Sequence, residues 1–324
     1  MVVFAATRAG GSLGGLAGLA LAACAAAQTP VPLTDLQPGQ QFGAATARGG
    51  VVLPPDVGGV SAIDVAADGA SALLISDRGG WVTVALSYDG GGDLAGAAVT
   101  ARGRLIGPDG KALARKVRSD AEGLARLADG TLLVSFERDH RLLAYPPAAP
   151  PFSRPPRVLA APAALDDGPR NGGLEALAVL SDGRLLALAE QTTAAGFGAD
   201  LGAAWLGTLD GGVNWQPLAR RRSDGFRPSG AATLPGGDVI VLERRFIPPA
   251  GLSARLVRVP ARTIVPGATL AGIELARLGP PDIAENFEGI AARATPDGTH
   301  VYVVSDDNFS PLLRSVLLML EVPG

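Results

Sequence analysis

Apolar and polar residues alternate over short runs along most of the chain, and the runs come in pairs around Gly-containing turns. SAIDVAADGASALLISDR, EGLARLADGTLLVSFER, EALAVLSDGRLLALAEQ, SGAATLPGGDVIVLERR and NFEGIAARATPDGTHVYVVSDDN (residues 286–308) are five versions of one unit. Alternation with period two over short runs predicts strands. Asp-Gly or Gly-Gly between two such runs predicts a hairpin, because glycine accepts the positive φ that tight turns require. The turn glycines Gly69, Gly130, Gly183, Gly237 and Gly298 are spaced by 61, 53, 54 and 61 residues.

Further strands follow each hairpin. The first module reads as 61–65, 72–77, 81–88 and 99–106, and the second as 122–127, 132–137, 141–145 and 157–160. The third reads as 175–180, 185–190, 204–209 and 215–221, and the fourth as 230–234, 239–243, 255–259 and 272–278. The fifth has only three strands, at 287–292, 300–306 and 315–322. Residues 42–53 form a spare strand ahead of the first hairpin. Pairing it with the last module completes the set and removes an open edge. The expected fold is therefore all-β, a single β-propeller of five four-stranded blades spanning 42–324, closed by its N-terminal strand. A six-bladed ring is the competing count, since the 61-residue intervals have room for a degenerate extra blade. No window outside the leader sustains a 3.6-residue apolar period, and 44 Gly and 26 Pro suit short strands and turns.

Composition changes this picture only at the N-terminus. The 324 residues are 47% hydrophobic, enough for a sizeable core, and the net charge of −3 carries no basic stripe for nucleic acid. Residues 1–27 read as an export signal: Arg8 in a weak positive n-region, an apolar small-residue stretch over 10–23, then a small-residue cleavage zone. Leu21-Ala22-Ala23-Cys24 resembles the bacterial lipobox, in which the cysteine is lipidated. Ordinary cleavage after Ala27 is the alternative. Cys24 is the only cysteine, so no disulfide forms within the chain. Residues 28–41 read as a Pro/Thr/Gln-rich tether. The expected product is an exported, periplasmic or outer-membrane-attached monomer that meets the membrane only through a lipid anchor.

The polar residues fall in register. Eight residues before the first four turn glycines stand Ser61, Glu122, Glu175 and Ser229, and Glu288 stands ten before Gly298. Six to eight residues after the glycines stand Asp77, Glu137, Glu190, Glu243 and Asp306. In antiparallel hairpins both sets lie at the open end, which pairs Glu122 with Glu137, Glu175 with Glu190 and Glu288 with Asp306. If these hairpins are the inner strands, the acids gather at one mouth of the central channel, with Asp307 beside them. Like charges across a strand pair are destabilising, so arginines or a cation must offset them. Arg78, Arg138, Arg244 and Arg245 directly follow the second-strand acids, and Arg118, Arg170 and Arg227 precede first strands. Asn171, Asn286 and Asn308 add neutral oxygens. Carboxylates with amide oxygens suit Ca²⁺, and arginines beside them suit a small phosphorylated anion. Together they fit metal-assisted phosphoester hydrolysis. The plainer reading is a ring of structural ion pairs copied with the repeat.

Other chemistry is thin. His140 and His300 are the two histidines and read as loop or surface groups. There is no G-x-S-x-G elbow, P-loop or Cys/His metal spacing. Trp81, Trp205 and Trp215 fall on outer strands and read as blade packing.

Five segments carry a family resemblance: Asn171-Gly-Gly-Leu-Glu-Ala-Leu-Ala, Arg227-Pro-Ser-Gly-Ala-Ala, Leu242-Glu-Arg-Arg-Phe246, Asn286-Phe-Glu-Gly-Ile-Ala and Ser305-Asp-Asp-Asn-Phe309. Together they resemble the bacterial phytase-like proteins with esterase-like activity, over residues 42–322. The resemblance implies a propeller, export, and ester or phosphoester hydrolysis, and Arg227, Glu243, Arg244, Asn286, Glu288, Asp306, Asp307 and Asn308 match its pattern. Where that family shows Gln-Arg-Thr before its last strand, this chain has Leu313-Arg314-Ser315. The resulting expectation assigns Glu175, Glu288 and Asp306 to catalysis. Substrate binding falls to Arg78, Arg138, Arg227, Arg244, Asn286 and Asn308, Ca²⁺ to Glu122, Glu190, Glu243 and Asp307, and lipidation to Cys24. A non-catalytic propeller binding a ligand or envelope partner at the same face is the alternative.

Overall fold

The structure, a computed structural model, describes residues 31–324 apart from 34, 35 and 297. The export signal over 1–27, the lipobox at Cys24 and Asp297 of the last turn lie outside the described residues.

In chain order the strands are β1 (Val31–Pro32), β2 (Gln41–Phe42), β3 (Ala45–Val52), β4 (Val60–Val65), β5 (Ser71–Ser76), β6 (Gly80–Tyr88) and β7 (Leu94–Arg104). A four-residue helix α1 (Lys116–Ser119) precedes β8 (Ala121–Arg126), β9 (Leu132–Phe136), β10 (Arg141–Tyr145) and β11 (Arg157–Ala160). Then come β12 (Leu174–Val179), β13 (Leu185–Thr193), β14 (Leu201–Leu209), β15 (Val213–Arg221), β16 (Arg227–Thr233), β17 (Val239–Ile247) and β18 (Gly251–Val259). The last are β19 (Thr269–Leu270), β20 (Ile273–Leu278), β21 (Phe287–Thr295), β22 (Gly298–Ser305) and β23 (Val316–Val322).

Among the described residues these strands build five four-stranded antiparallel sheets: β4–β7, β8–β11, β12–β15, β16-β17-β18-β20, and β21-β22-β23 with β3. The first strands pack side by side around one axis in the order β4, β8, β12, β16, β21 and back to β4, which is a β-propeller. No sixth sheet occupies the 61-residue intervals among these residues. The extra length goes into the long β6–β7 hairpin and α1 in the first case, and into β19 and a 3₁₀ turn (Ala261–Thr263) in the second.

The hairpins form for local reasons. Gly69, Gly130, Gly183 and Gly237 all have φ between +74° and +93°, and the residue three earlier accepts each glycine's N–H. In three of these turns the preceding aspartate, Asp68, Asp129 or Asp182, accepts the N–H two residues on. The arrangement is a type I turn with a left-handed glycine, closed by an Asx contact.

The ring closes as the strand arithmetic requires. β3 runs antiparallel to β23, pairing Val51 with Leu317 and Val52 with Val316, so the N-terminal strand is the outer strand of the last blade. At Gly49 it also touches β7 of the first blade. Gly49 has φ +87°, and a Cβ there would fall 2.4 Å from the Leu94 carbonyl oxygen, so the approach needs glycine. Part of the 28–41 segment is not a free tether. β1 pairs with β3, and Leu33 and Leu36 are buried, because these apolar residues cover the outer edge of the closing strand. β9 and β10 are buried at every position, since each central strand has a neighbouring blade on both faces. Burying a leucine this way stabilises the fold by about 1.5–3 kcal/mol.

Candidate functional site

Every inner hairpin is irregular at the same place. The β4–β5 register breaks between Val60 and Ala62, β8–β9 between Ala121 and Leu124, and β12–β13 between Leu174 and Ala176. The other two break between Pro228 and Gly230 and between Phe287 and Gly289. The residues left out of the ladder are Ser61, Glu122 with Gly123, Glu175, Ser229 and Glu288. A bulge re-aims its side chain, and here the bulged residues line a narrow axial gap. The next position is small in all five blades: Ala62, Gly123, Ala176, Gly230 and Gly289. Space explains it, because a Cβ on Gly230 would meet the Glu288 carbonyl at 2.9 Å and one on Gly289 would meet Ala62 at 2.9 Å.

The two serines rivet neighbouring blades. Ser61 Oγ donates to the Ala121 carbonyl at 2.7 Å and Ser229 Oγ to the Phe287 carbonyl at 3.0 Å. Glu122, Glu175 and Glu288 are left as the channel acids. Second-strand acids join them as expected. Oxygens of Asp120, Glu122 and Glu137 lie within 4.8 Å of one another. Glu137 also accepts the N–H of Gly172 and, at 3.4 Å, that of Gly173. Arg244 is the cation of this mouth, with Nε 2.7 Å from Glu288 and Nη2 3.4 Å from Glu190. Asn286 Nδ2 donates to the other Glu288 oxygen at 2.8 Å. Arg227, half exposed, stands 3.8 Å from Glu190.

Glu122 and Glu175 have no hydrogen-bond or ion-pair partner among the described residues. Burial, then the charges of Glu175, Asp120 and Glu137, pushes the Glu122 carboxyl well above the carboxylate range. Glu122 keeps some exposed area, but it opens only on the channel, so loss of solvation dominates. Burial, then Glu190 and Glu137, pushes Glu175 up as well, against the pull of Arg244. Burial also raises Glu288, although Arg244 and Asn286 oppose it. Burial pushes Asp306 up to about 7 despite the Asn308 N–H that its Oδ1 accepts at 2.8 Å. Arg244 itself stays firmly protonated, because Glu288, Glu190 and Glu175 outweigh the penalty of its burial.

Three sequence-assigned residues, Glu243, Arg138 and Asp307, are engaged by other protein groups. Glu243, expected as a metal ligand, faces away from the mouth. Arg220 Nη1 and Arg255 Nε each lie 2.7 Å from one of its oxygens, because alternation along β17 puts Arg244 and Glu243 on opposite sides. Arg138, expected to bind substrate, ion-pairs with buried Asp120, which also holds Lys116 at 2.5 Å. Asp307, expected as a ligand, accepts the Gly59 and Phe309 N–H groups at 3.0 Å. Arg78 stacks on the Phe309 ring, 3.3 Å from its centroid. Asn308 contributes a left-handed turn, φ +48°, and its side chain is exposed. Arg170 and Asn171 are exposed, and Arg118 reaches only Asp139, at 3.8 Å.

Sequence reasoning missed Asp120, Lys116, Arg220, Arg255 and the position of His140. Asp120 stands two residues before Glu122, a spacing that puts both on one side of an extended chain. Lys116 sits on α1, and its Nζ joins Asp120 to Asp77, 2.7 Å away. His140, set aside as a loop residue, lies against Gly173 beside Glu137, with Nδ1 buried and unpartnered.

The donor set is all oxygen, and two buried carboxyls lack any donor. Such a set fits a hard divalent cation like Ca²⁺. Glu122, Glu137 and Glu175 each have an oxygen free for it, whereas Asp120 would have to release Lys116 or Arg138.

A sequence model described as phytase-like, esterase-like activity of phytase, matches residues 55–309. No curated protein matches the chain. Among solved structures, the α-L-arabinofuranosidase of Podospora anserina is 13% identical, with 90% of this chain and 99% of that one covered and a TM-score of 0.49. A luciferin-regenerating enzyme is 12% identical, with 84% and 95% covered and a TM-score of 0.45. Virginiamycin B lyase of Staphylococcus aureus is 11% identical, with 90% and 98% covered and a TM-score of 0.42. Identities this low say nothing about chemistry.

Proposed function

Because the chain belongs to the phytase-like family, we propose that it is a hydrolase of esters or phosphoesters whose reacting centre is the acidic mouth of the propeller. The observation that carries this reading is the pair of buried carboxyls without donors, Glu122 and Glu175, beside the ion-paired Arg244. Buried charge of one sign persists only if it is protonated, paired or metal-bound.

In this reading Glu122 and Glu137, with Asp120 beside them, would hold Ca²⁺. When bound, the ion would polarise the oxygen of the ester or phosphoryl group. Arg244 and Arg227 face the anionic substrate, and Glu288, Glu190 and Asn286 fix the Arg244 guanidinium in place. Asp306, with its carboxyl near 7, exchanges a proton at neutral pH and suits general acid–base work. It takes a proton from the attacking water as the new P–O or C–O bond forms. Glu175, whose carboxyl is raised by burial, supplies the proton that the leaving oxygen needs as its bond breaks.

The signal-like pattern over 1–27 and Cys24 support a protein outside the cytoplasm, tethered by a lipid. Metabolic labelling with a fatty acid should mark the wild-type chain and not Cys24→Ser.

Purified mature protein should turn over phytate, aryl phosphate or aryl ester, with a rate that falls on chelation and returns with Ca²⁺. Equal rates in the Glu288→Gln, Asp306→Asn double variant would remove the site assignment. Stabilisation by Ca²⁺ with no turnover of any ester would replace the hydrolase by a ligand-binding propeller.

A further inference from the structure

A second cavity, about 400 Å³ in volume, opens on the first blade next to the mouth. Its inner wall is apolar: Val60, Leu74 and Trp81, all buried, and half-buried Val82. Its charged edge is Arg78, Arg102 and Arg104. Two of these arginines are occupied. Arg102 Nη1 lies 2.6 Å from Asp56, and Arg104 Nη2 donates to the Leu113 carbonyl at 2.6 Å. The Arg78 guanidinium has no hydrogen-bond acceptor among the described residues, and it stacks on the Phe309 ring. Stacking fixes the plane of a guanidinium and leaves its N–H edge free for an anion.

The lip of this cavity is built, not loose. Phe309 is 44% exposed and sits at φ +52°, a conformation that a bulky side chain rarely adopts. Asp307 holds it there by accepting the Phe309 N–H and, with the same oxygen, the Gly59 N–H of the facing loop. Gly59 is also where cavity and mouth meet. A Cβ at that position would lie 2.5 Å from Asp77 Oδ1 and 2.6 Å from the Phe309 ring. Asp77 in turn shares Lys116 with Asp120 of the acid cluster.

We infer that this cavity is the subsite for the apolar group of the substrate, and that the substrate class is an aromatic phosphoester rather than a polyol phosphate. The aromatic body lies against Val60, Leu74 and Val82, and its phosphoester end reaches past Arg78 and over Gly59 toward the mouth, where the scissile P–O bond lies. Apolar walls with one convergent charge are the usual make-up of a small-molecule pocket of this size. A polyol phosphate has no apolar body to cover these walls. Asp307 is thus a positioning residue, acting through Phe309.

The inference rests on the hydrolase reading for the scissile bond but not for binding, so two measurements separate them. Calorimetry with 2-naphthalenesulfonate, which cannot be hydrolysed, should give saturable one-site binding. Arg78→Gln and Phe309→Ala should each weaken it at least tenfold, and inorganic sulfate should compete poorly. Both side chains are exposed, so unchanged thermal midpoints will show intact folding. Absent or variant-independent binding overturns the subsite. In turnover, Phe309→Ala should raise KM for 2-naphthyl phosphate at least tenfold and raise that for glycerol phosphate far less. An equal change for both substrates overturns it, even if hydrolysis itself is confirmed. Binding that depends on Arg78, without turnover of any ester, upholds the pocket and ends the hydrolase reading.

Discussion

Nε of Arg244 stands 2.7 Å from Oε2 of Glu288, so the second strand of the fourth blade is ion-paired to the first strand of the fifth. The same guanidinium reaches Glu190 of the third blade. One cation thus ties three blades together at the mouth, where it offsets Glu288, Glu190 and Glu175. Substituting it leaves Glu288 and Glu190 buried without their cation. Arg244→Gln should lower unfolding free energy by about 3–5 kcal/mol at pH 8. The loss should be smaller at pH 5 than at pH 8, because burial raises Glu288 and lower pH favours its neutral form. Urea unfolding at the two pH values reads this directly.

The pH dependence of the metal-free protein should run against the common pattern. Asp306 titrates near 7 in the fold, against about 4 when unfolded. Glu122, Glu175 and Glu288 are raised in the same direction. Between these limits the native state binds more protons than the unfolded chain, so stability falls as pH rises. The loss begins near pH 4 and is complete for Asp306 above 7, where it amounts to roughly 4 kcal/mol at most. Thermal midpoints in chelator should therefore be higher at pH 5 than at pH 8. Asp306→Asn should flatten the slope.

Calcium should act where protons do. It needs the carboxylates ionised, so its stabilisation should be larger at pH 8 than at pH 5. Glu122 is the informative position because none of the described residues hydrogen-bonds or ion-pairs with it. In chelator at pH 8, Glu122→Gln should stabilise the fold by about 1–2 kcal/mol, since it removes a desolvated charge among like charges. The same substitution should abolish most of the midpoint shift produced by Ca²⁺.

Glu243 should behave in the opposite way. It is 3% exposed and lies between Arg220 and Arg255, both buried. Glu243→Gln leaves Arg220 without a carboxylate partner among the described residues and Arg255 with only Asp224 and Glu274 at 3.5 Å, and should cost about 3–5 kcal/mol. It should leave calcium binding untouched. Chemical denaturation paired with calcium titration distinguishes this structural acid from the channel acids.

Much of this was legible in the chain itself. The Asp-Gly and Gly-Gly turns, the module spacing and the unpaired strand at 42–53 specified a closed, all-β ring, because turn conformation and strand alternation are set by neighbours in sequence. The register of Glu122 with Glu137 could be read off for the same reason. What decided the site was not local. Glu243 and Arg244 are adjacent in sequence, yet only packing against Arg220 and Arg255 on one side and Glu288 on the other shows which belongs to the mouth. Asp120 and Lys116 lie in a connection between blades, where no alternation points to them. The bulges that turn Glu122, Glu175 and Glu288 toward the axis arise where each first strand meets its neighbouring blade. The raised carboxyls exist only because five blades together exclude water from one channel. The sequence by itself thus determined the ribbon and its repeat. Which charges face the axis, and how strongly they are desolvated, depended on contacts between strands and blades, from Arg255 with Glu243, twelve positions apart, to Arg244 with Glu288, forty-four apart.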